Sequence, residues 1–140
     1  MTLGTIWAPR LLSVLRIVDG LVLLQYGTAK LFGWPDVEMF EDLKWFSLFG
    51  IAGMFELVGG TLLILGLFTR PAAFILSGEM AAAYFIEHLP HGFFPILSSG
   101  DLAVTLCFTF LYLVFAGGGP WSLDALLRGG AAHDAVQARN

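Results

Sequence analysis

Two carboxyl groups lie inside long apolar stretches of this chain, far from positions where they could reach water. Glu56 lies within the apolar run of residues 46–68, and Glu79 lies within the run of residues 72–89. At 1.5 Å per helical residue, Glu56 is about 21 Å and Glu79 about 13 Å from Arg70, which lies in the turn between the runs. A carboxyl group at such depth needs a proton, a cation or a water-filled cavity beside it. Both residues are therefore candidates for proton exchange.

A tyrosine and a lysine before these runs share one helix face. Asp19, Tyr26 and Lys30 are separated by 7 and 4 residues, and Arg16 lies one turn before Asp19. The spacing of Arg16 and Asp19 predicts an ion pair within the helix. Lys30 either extends its ammonium group to the membrane surface or guards a pocket. For the pocket, we predict that Tyr26, Lys30 and Glu56 are the catalytic candidates: a hydrogen-bond donor, a cation and a proton-exchanging carboxyl group.

A histidine-bearing cluster is predicted near the end of the second run. Tyr84, Glu87, His88 and His91 lie at helical spacings of 3 and 4 residues. In a straight helix, His88 lies about half a turn away from Glu79, so we predict two separate candidate regions. Two histidines at i and i+3 on one helix cannot bind both faces of a haem. The chain has no second histidine pair, so neither a haem site nor a metal site is predicted.

Asp101 is the remaining candidate, and it begins a further apolar stretch at residues 101–116. With Thr105, Thr109 and Tyr112 it forms a polar stripe that we predict to face the interior of a bundle. The candidate ligand-binding residues are therefore Tyr26, Lys30, Glu56, Glu79, His88 and Asp101.

Glycines indicate how the helices that carry these groups are packed. Glu56 shares its predicted helix face with Gly53, Gly59 and Gly60. Glycine lets a neighbouring backbone approach closely in a membrane bundle, so this face is predicted to be the packing face of the second helix.

Composition indicates the membrane class. Of the 140 residues, 57% are hydrophobic and 13% are charged, and the mean hydropathy is +0.79. Soluble domains carry roughly a quarter charged residues, so we predict an integral membrane protein with the lipid bilayer as its main partner. The net charge is −4, without a basic block, and the chain has one cysteine. Nucleic acid, disulfide and dithiol functions are therefore not predicted.

We predict an all-α fold, an integral membrane four-helix bundle. Its spans are residues 11–32, 46–68, 72–89 and 101–116, within one domain at residues 1–128, and a disordered polar tail follows at residues 129–140. The five arginines fall on one side of the predicted membrane and the two lysines on the other. Basic residues favour the cytoplasmic side, so both termini and the Arg70 turn are predicted to be cytoplasmic.

The chain resembles the DoxX family of small four-helix membrane proteins from about residue 10 to residue 127. The motifs that carry the resemblance are YGTAKLFG at residues 26–33, ELVGG at 56–60, LGLFTR at 65–70, HLPHGFFP at 88–95, SGDLA at 99–103 and GPWSLDA at 119–125. Two positions depart from the family pattern. Tyr26 stands where the family often has histidine, and Asp101 stands where it often has glutamate.

The resemblance implies a bacterial inner (cytoplasmic) membrane protein linked to redox work. DoxX-like proteins include a subunit of a quinone-reducing thiosulfate dehydrogenase and a partner of oxidative-stress enzymes. We therefore expect a quinone as the bound molecule and a partner redox enzyme subunit, with a homo-oligomer as a further option. The sequence carries no flavin or dinucleotide fingerprint. The alternatives are a structural or assembly partner without catalysis, and a carrier of a small solute or proton.

Overall fold

The computed structural model describes residues 2–139, which form helices joined by turns and loops and contain no strand. The helices are α1 (Leu3–Phe32), α2 (Leu48–Leu65), α3 (Thr69–Ala83), α4 (Pro95–Ser98), α5 (Asp101–Ala116) and α6 (Leu123–Gln137). After α3 the chain continues as a π-helical turn (Tyr84–His88) and a 3₁₀ turn (Leu89–His91). The all-α prediction is confirmed. α2 and α5 lie within three residues of two predicted spans, whereas α1 begins eight residues before its predicted span and α3 ends six residues before the end of its predicted span.

Glycines in left-handed conformations end the first two long helices. α1 ends at Gly33, with φ 68°, and α2 ends at Gly66, with φ 67°. Glycine adopts this backbone conformation without the Cβ clash that other residues meet, which is why it commonly follows the last helical turn. Ser47 caps the start of α2 by accepting a hydrogen bond from the Gly50 amide. The chain therefore reverses direction sharply between α2 and α3.

The glycine face of α2 is a packing face, as predicted: Gly53 and Gly60 pack on α1, and Gly59 packs on Leu76 of α3. A Cβ atom placed on Gly60 would lie 3.0 Å from the Gly20 carbonyl oxygen and 3.0 Å from the Leu24 amide nitrogen of α1. A Cβ atom on Gly27 of α1 would lie 2.7 Å from the Leu57 amide nitrogen. The two helices thus meet backbone to backbone, with no room for a side chain between them.

Apolar side chains from all four long helices fill the middle of the molecule. Leu23, Leu63, Leu76, Phe110 and Leu113 are at most 1% exposed and belong to one core cluster. The backbones of α1 and α2 run close together, as do those of α3 and α5, and α2 also contacts α3. The backbones of α1 and α5 come close to each other at no more than a few positions.

Hydrogen bonds identify the two ends of this bundle. At one end, Arg16 of α1 lies beside the chain that follows α5. At the other end, Lys30 contacts Glu56, and the Trp45 indole donates to the Leu31 carbonyl. We refer to these as the Arg16 end and the Lys30 end.

The polar stripe predicted on α5 does not face the interior, so that interpretation was wrong. Asp101, Thr105 and Tyr112 are exposed, whereas Leu106 and Phe110 are buried. The Thr109 hydroxyl donates to the Thr105 carbonyl within the helix. A threonine satisfied in this way needs no partner on another helix, so its polarity does not predict which side faces inward.

Two further observations qualify the predicted arrangement. Judged by length and composition only, α2 is the one helix among the described residues that could cross a membrane. α5 is also apolar but shorter. The four-span arrangement therefore stays a prediction.

The C-terminal segment is helical: α6 continues to Gln137, although the sequence predicts a disordered tail from residue 129. Ser122 caps this helix, and its alanine-rich later turns have high helix propensity.

Candidate functional site

A cavity of about 690 Å³ lies at the Lys30 end, between α1, α2, α3 and α5. Small-molecule sites commonly have volumes of about 300–1,000 Å³. Apolar side chains form much of its wall, and polar groups converge at its base. The residues that line the cavity include Leu23, Tyr26, Lys30, Phe49, Glu56 and His88.

A buried ion pair between α1 and α2 forms the base of the cavity. The Lys30 ammonium nitrogen lies 2.7 Å from Oε1 of Glu56, and the two side chains are only 9% and 5% exposed. Gly53 makes the approach possible, because a Cβ atom there would lie 3.0 Å from the Lys30 Cβ atom. The absence of a side chain at Gly53 lets the lysine lie flat against α2 and reach Glu56 less than one turn further on.

Three aromatic rings surround the Lys30 ammonium group. Its nitrogen lies 5.5 Å from the ring centre of Phe40, 5.9 Å from that of Phe49 and 6.0 Å from that of Tyr26. Cation–π attraction is effective within about 6 Å of a ring centre. Phe40 comes from the 3₁₀ turn Glu38–Phe40 in the loop before α2, so this loop covers the ion pair from the Lys30 end of the bundle.

Glu79 of α3 extends the ion pair into a cluster of three ionisable groups. Its carboxyl group lies next to the Glu56 carboxyl group. Both Glu79 oxygens and Oε2 of Glu56 are buried without a donor among the described residues. Two carboxyl groups in such contact are stable when they share one proton, because two negative charges would repel each other there. One shared proton and one lysine make the cluster neutral overall.

The two candidate regions predicted on α3 are related through Glu56: His88 lines the cavity, and Glu79 does not line it but adjoins Glu56, which does. His88 lies in the π-helical turn and lines the same cavity as Glu56, whose carboxyl group contacts Glu79. The prediction assumed a regular α-helix. A π-helical turn has more residues per turn, so each residue advances the side chain around the axis by a smaller angle. Such turns occur often at functional sites.

His88 is held in one orientation by its surroundings. Its Nδ1 atom lies 2.9 Å from the Ser98 carbonyl oxygen, and its ring stacks on Tyr84. A carbonyl oxygen only accepts hydrogen bonds, so Nδ1 carries a proton, and Nε2 can then accept one. The Tyr84 hydroxyl donates to the Phe93 carbonyl, which fixes the stacking partner in turn.

The other predicted residues occupy different positions. Glu87 and His91 line the cavity near its mouth. Asp101 is exposed at the first turn of α5, and it does not line the cavity, although its neighbour Leu102 does. Nowhere in residues 2–139 do three His, Cys, Asp or Glu side chains come together as a metal site would require.

The sequence did not predict how the Arg16 end is closed. Arg16 is completely buried and donates through Nη1 to the Gly118 carbonyl and through Nη2 to the Trp121 carbonyl, at 2.6 Å for the latter. The predicted ion pair with Asp19 was therefore wrong, and the described residues contain no salt bridge at Arg16. The backbone carbonyls after α5 are strong acceptors, and they lie where the guanidinium group ends.

Asp124 caps the start of α3 from another part of the chain. Its carboxylate accepts hydrogen bonds from the Phe68 amide at 2.8 Å and the Thr69 amide at 2.9 Å. Partial burial opposes ionisation of Asp124, but the hydrogen bonds from Thr69 and Phe68 and the charge of Arg128 together lower the pKa of this carboxyl group below its usual range. We call residues 117–124, which contact both Arg16 and the start of α3, the clasp.

Comparison with known proteins gives the family. The DoxX family profile matches residues 11–89, more than half of the chain. The chain belongs to the DoxX family. The matched residues include Lys30, Glu56 and His88 of the cavity and Glu79 behind it, whereas the clasp lies beyond the matched range.

Two relatives of this DoxX protein extend the similarity along the chain. An uncharacterized protein of Haemophilus influenzae is 44% identical over 122 residues, covering 84% of this chain and 91% of that protein. An uncharacterized membrane protein of Mycobacterium tuberculosis is 30% identical over 142 residues, covering 85% of this chain and 82% of that protein. No solved structure matches the DoxX chain.

Proposed function

We propose that this DoxX protein is a multi-pass protein of the bacterial inner membrane that binds a quinone in the cavity at the Lys30 end and serves as the membrane subunit of a partner oxidoreductase. Its family and its similarity to a mycobacterial membrane protein support a place in the membrane. The observation that carries the proposed binding site is the cluster of Lys30, Glu56 and Glu79 at the base of a largely apolar cavity.

The cavity offers complementary chemistry to a quinone head group. Phe49 and Leu23 supply flat and branched apolar walls for the ring. The Tyr26 hydroxyl can donate to one ring oxygen, and the Nε2 atom of His88 can accept a hydrogen bond from the hydroxyl group that the other ring oxygen becomes in the quinol. Glu56 and Glu79 hold a proton next to this position, and a carboxyl pair of this kind can pass a proton to a neighbouring oxygen.

The electrons in this proposal come from the partner oxidoreductase. Reduction of a quinone to a quinol takes up two electrons and two protons. The partner would supply the electrons. The carboxyl pair holds one shared proton, so Glu56 would pass that proton to one ring oxygen, the pair would take up a replacement from water, and Glu56 would pass the second proton to the other ring oxygen. Lys30 stabilises the negative charge that remains on the carboxyl pair after each transfer.

Glu56→Gln is expected to abolish quinone-linked turnover and to leave the fold intact. Glutamine keeps the volume and can still contact Lys30 and Glu79, but it cannot exchange a proton. Turnover is measured in membranes together with the partner enzyme, and bound quinone is quantified by organic extraction of the purified protein. Glu38→Gln, in the exposed loop before α2, is the matched control.

Each outcome of this experiment separates the proposed functions. Full turnover in Glu56→Gln would contradict the proton-exchange role. Because the Lys30–Glu56 pair joins α1 to α2, loss of folding in Glu56→Gln would instead favour the structural or assembly function. A carrier receives less support, since Leu63, Phe110 and Leu113 are fully buried and fill the core below the cavity.

The proposed membrane topology has both termini and the Arg16 end in the cytoplasm, because the arginines cluster there. A cysteine introduced at Asp36 in a Cys107→Ala background is therefore expected to react with an impermeant thiol reagent added to intact spheroplasts. A cysteine introduced at Arg70 is expected to react only after the membrane is opened. The opposite labelling pattern would reverse the topology.

A further inference from the structure

The mouth of the cavity can be located from residues that both line it and are exposed on the surface of the molecule. On the α-helices, these residues are Gln25 and Tyr26 of α1 and Leu102 of α5. In the loops and turns, they are Pro35, Val37, Met39, His91 and Ser99. Tyr26 is 37% exposed and Leu102 is 41% exposed. Both helices therefore form the rim of one opening, which we call the α1–α5 slot.

Packing explains why the bundle opens at this place. α1 is held to α2 backbone to backbone, through Gly20 and Gly60 and through Gly27 and Leu57. No comparable set of close approaches joins α1 to α5 within the described residues. Their side chains meet in the core, through Leu23 and Leu106, but the helices are separate above it.

Loop and turn residues line the cavity at the Lys30 end. The loop before α2 contributes Val37, Met39 and Phe40, and Phe40 lies over the Lys30 ammonium group. On the other side, Ser98 is buried and accepts the hydrogen bond from His88, whereas His91 and Ser99 are exposed. The rim thus combines loop and turn residues above with the α1–α5 slot at the side.

We propose that the ligand is an amphiphile with a long apolar chain, and that it enters sideways from the lipid through the α1–α5 slot. Its polar head lies at Lys30 and Glu56, and its chain leaves past Leu102 along the apolar wall formed by Leu23 and Leu106. The identity of the head group rests on the proposed function. The lateral route rests on the geometry of the slot alone.

The route predicts which reagents reach the cavity. Ala103 lines the cavity and is 7% exposed, so Ala103→Cys in a Cys107→Ala background places a single thiol inside it. In proteoliposomes, a maleimide with a long alkyl chain is expected to label this thiol at least tenfold faster than a sulfonated, membrane-impermeant maleimide. Adding Leu102→Trp, which narrows the slot, is expected to slow alkyl-maleimide labelling at least fivefold.

Phe108→Trp is the matched control, because Phe108 is exposed on the same helix and does not line the cavity. It should leave the labelling rate within about twofold. Equal labelling by the two maleimides would overturn the lateral route, because the cavity would then open to water. Labelling by neither, in a protein that reacts fully once denatured, would also overturn it.

The same variants separate the route from the quinone proposal. If the expected labelling pattern is found, and extraction of purified protein yields a different long-chain lipid in place of quinone, the route stands and the quinone is excluded. Leu102→Trp is expected to lower the recovered long-chain ligand at least fivefold, and undiminished recovery would contradict the assignment of the slot.

Discussion

Gly60→Leu is expected to abolish the folded bundle. Even a Cβ atom at Gly60 would lie 3.0 Å from both the Gly20 carbonyl oxygen and the Leu24 amide nitrogen. These are backbone atoms, so α1 and α2 would have to separate along their whole contact. Overpacking that a core can absorb costs about 1–3 kcal/mol, and a leucine costs more where, as here, the backbone cannot move aside. The measurement is the thermal unfolding midpoint in detergent, followed by circular dichroism.

Gly78→Leu is the matched control for this prediction. Gly78 also lies within a helix, but a Cβ atom there would meet nothing within 4 Å. Leucine has a higher helix propensity than glycine, so the control should melt at the same temperature as the wild type or above it. Equal melting temperatures for Gly60→Leu and Gly78→Leu would show that the close contact between α1 and α2 is not needed for folding.

Lys30→Met is expected to destabilise the protein by about 3–5 kcal/mol, because it leaves a buried negative charge on Glu56 and Glu79 without a cation. Methionine keeps most of the apolar stem, so packing against Gly53 changes little. Lys44→Met is the control, since Lys44 is exposed on the loop and makes no ion pair among the described residues. Unfolding in detergent measures the difference between the two variants.

The double variant Lys30→Met with Glu56→Gln is expected to recover most of the lost stability. It removes the cation and one carboxyl group together, so Glu79 can stay neutral beside an amide. A double variant no more stable than Lys30→Met alone would mean that Lys30 acts through packing and not through its charge.

The sequence predicted the parts of this protein that depend on one helix at a time. Polar residues, prolines and glycines in the sequence indicated where the long helices end. The glycines beside Glu56 indicated the packing face, because glycine has few other uses within an apolar helix. The pocket formed by Tyr26, Lys30 and Glu56 remains a functional prediction, although the structure does bring the three residues to one cavity.

What the sequence could not predict depends on how helices are rotated against one another. A helical wheel places Glu79 relative to its own neighbours but does not show that its face of α3 turns towards Glu56. The spacing of residues in the sequence does not predict the π-helical turn that contains His88. Arg16 was assigned to Asp19 because acceptors more than 100 residues away, at Gly118 and Trp121, are invisible to local pattern analysis.

The clasp has a consequence for how the protein is made. Arg16 is synthesised about 100 residues before its acceptors at Gly118 and Trp121. Until those residues have been made, a guanidinium group that is completely buried in the folded protein lacks its backbone partners, which is costly in apolar surroundings. Burial of Arg16 therefore has to wait for the clasp, and a chain that stops before Trp121 is expected to leave this end of the bundle open.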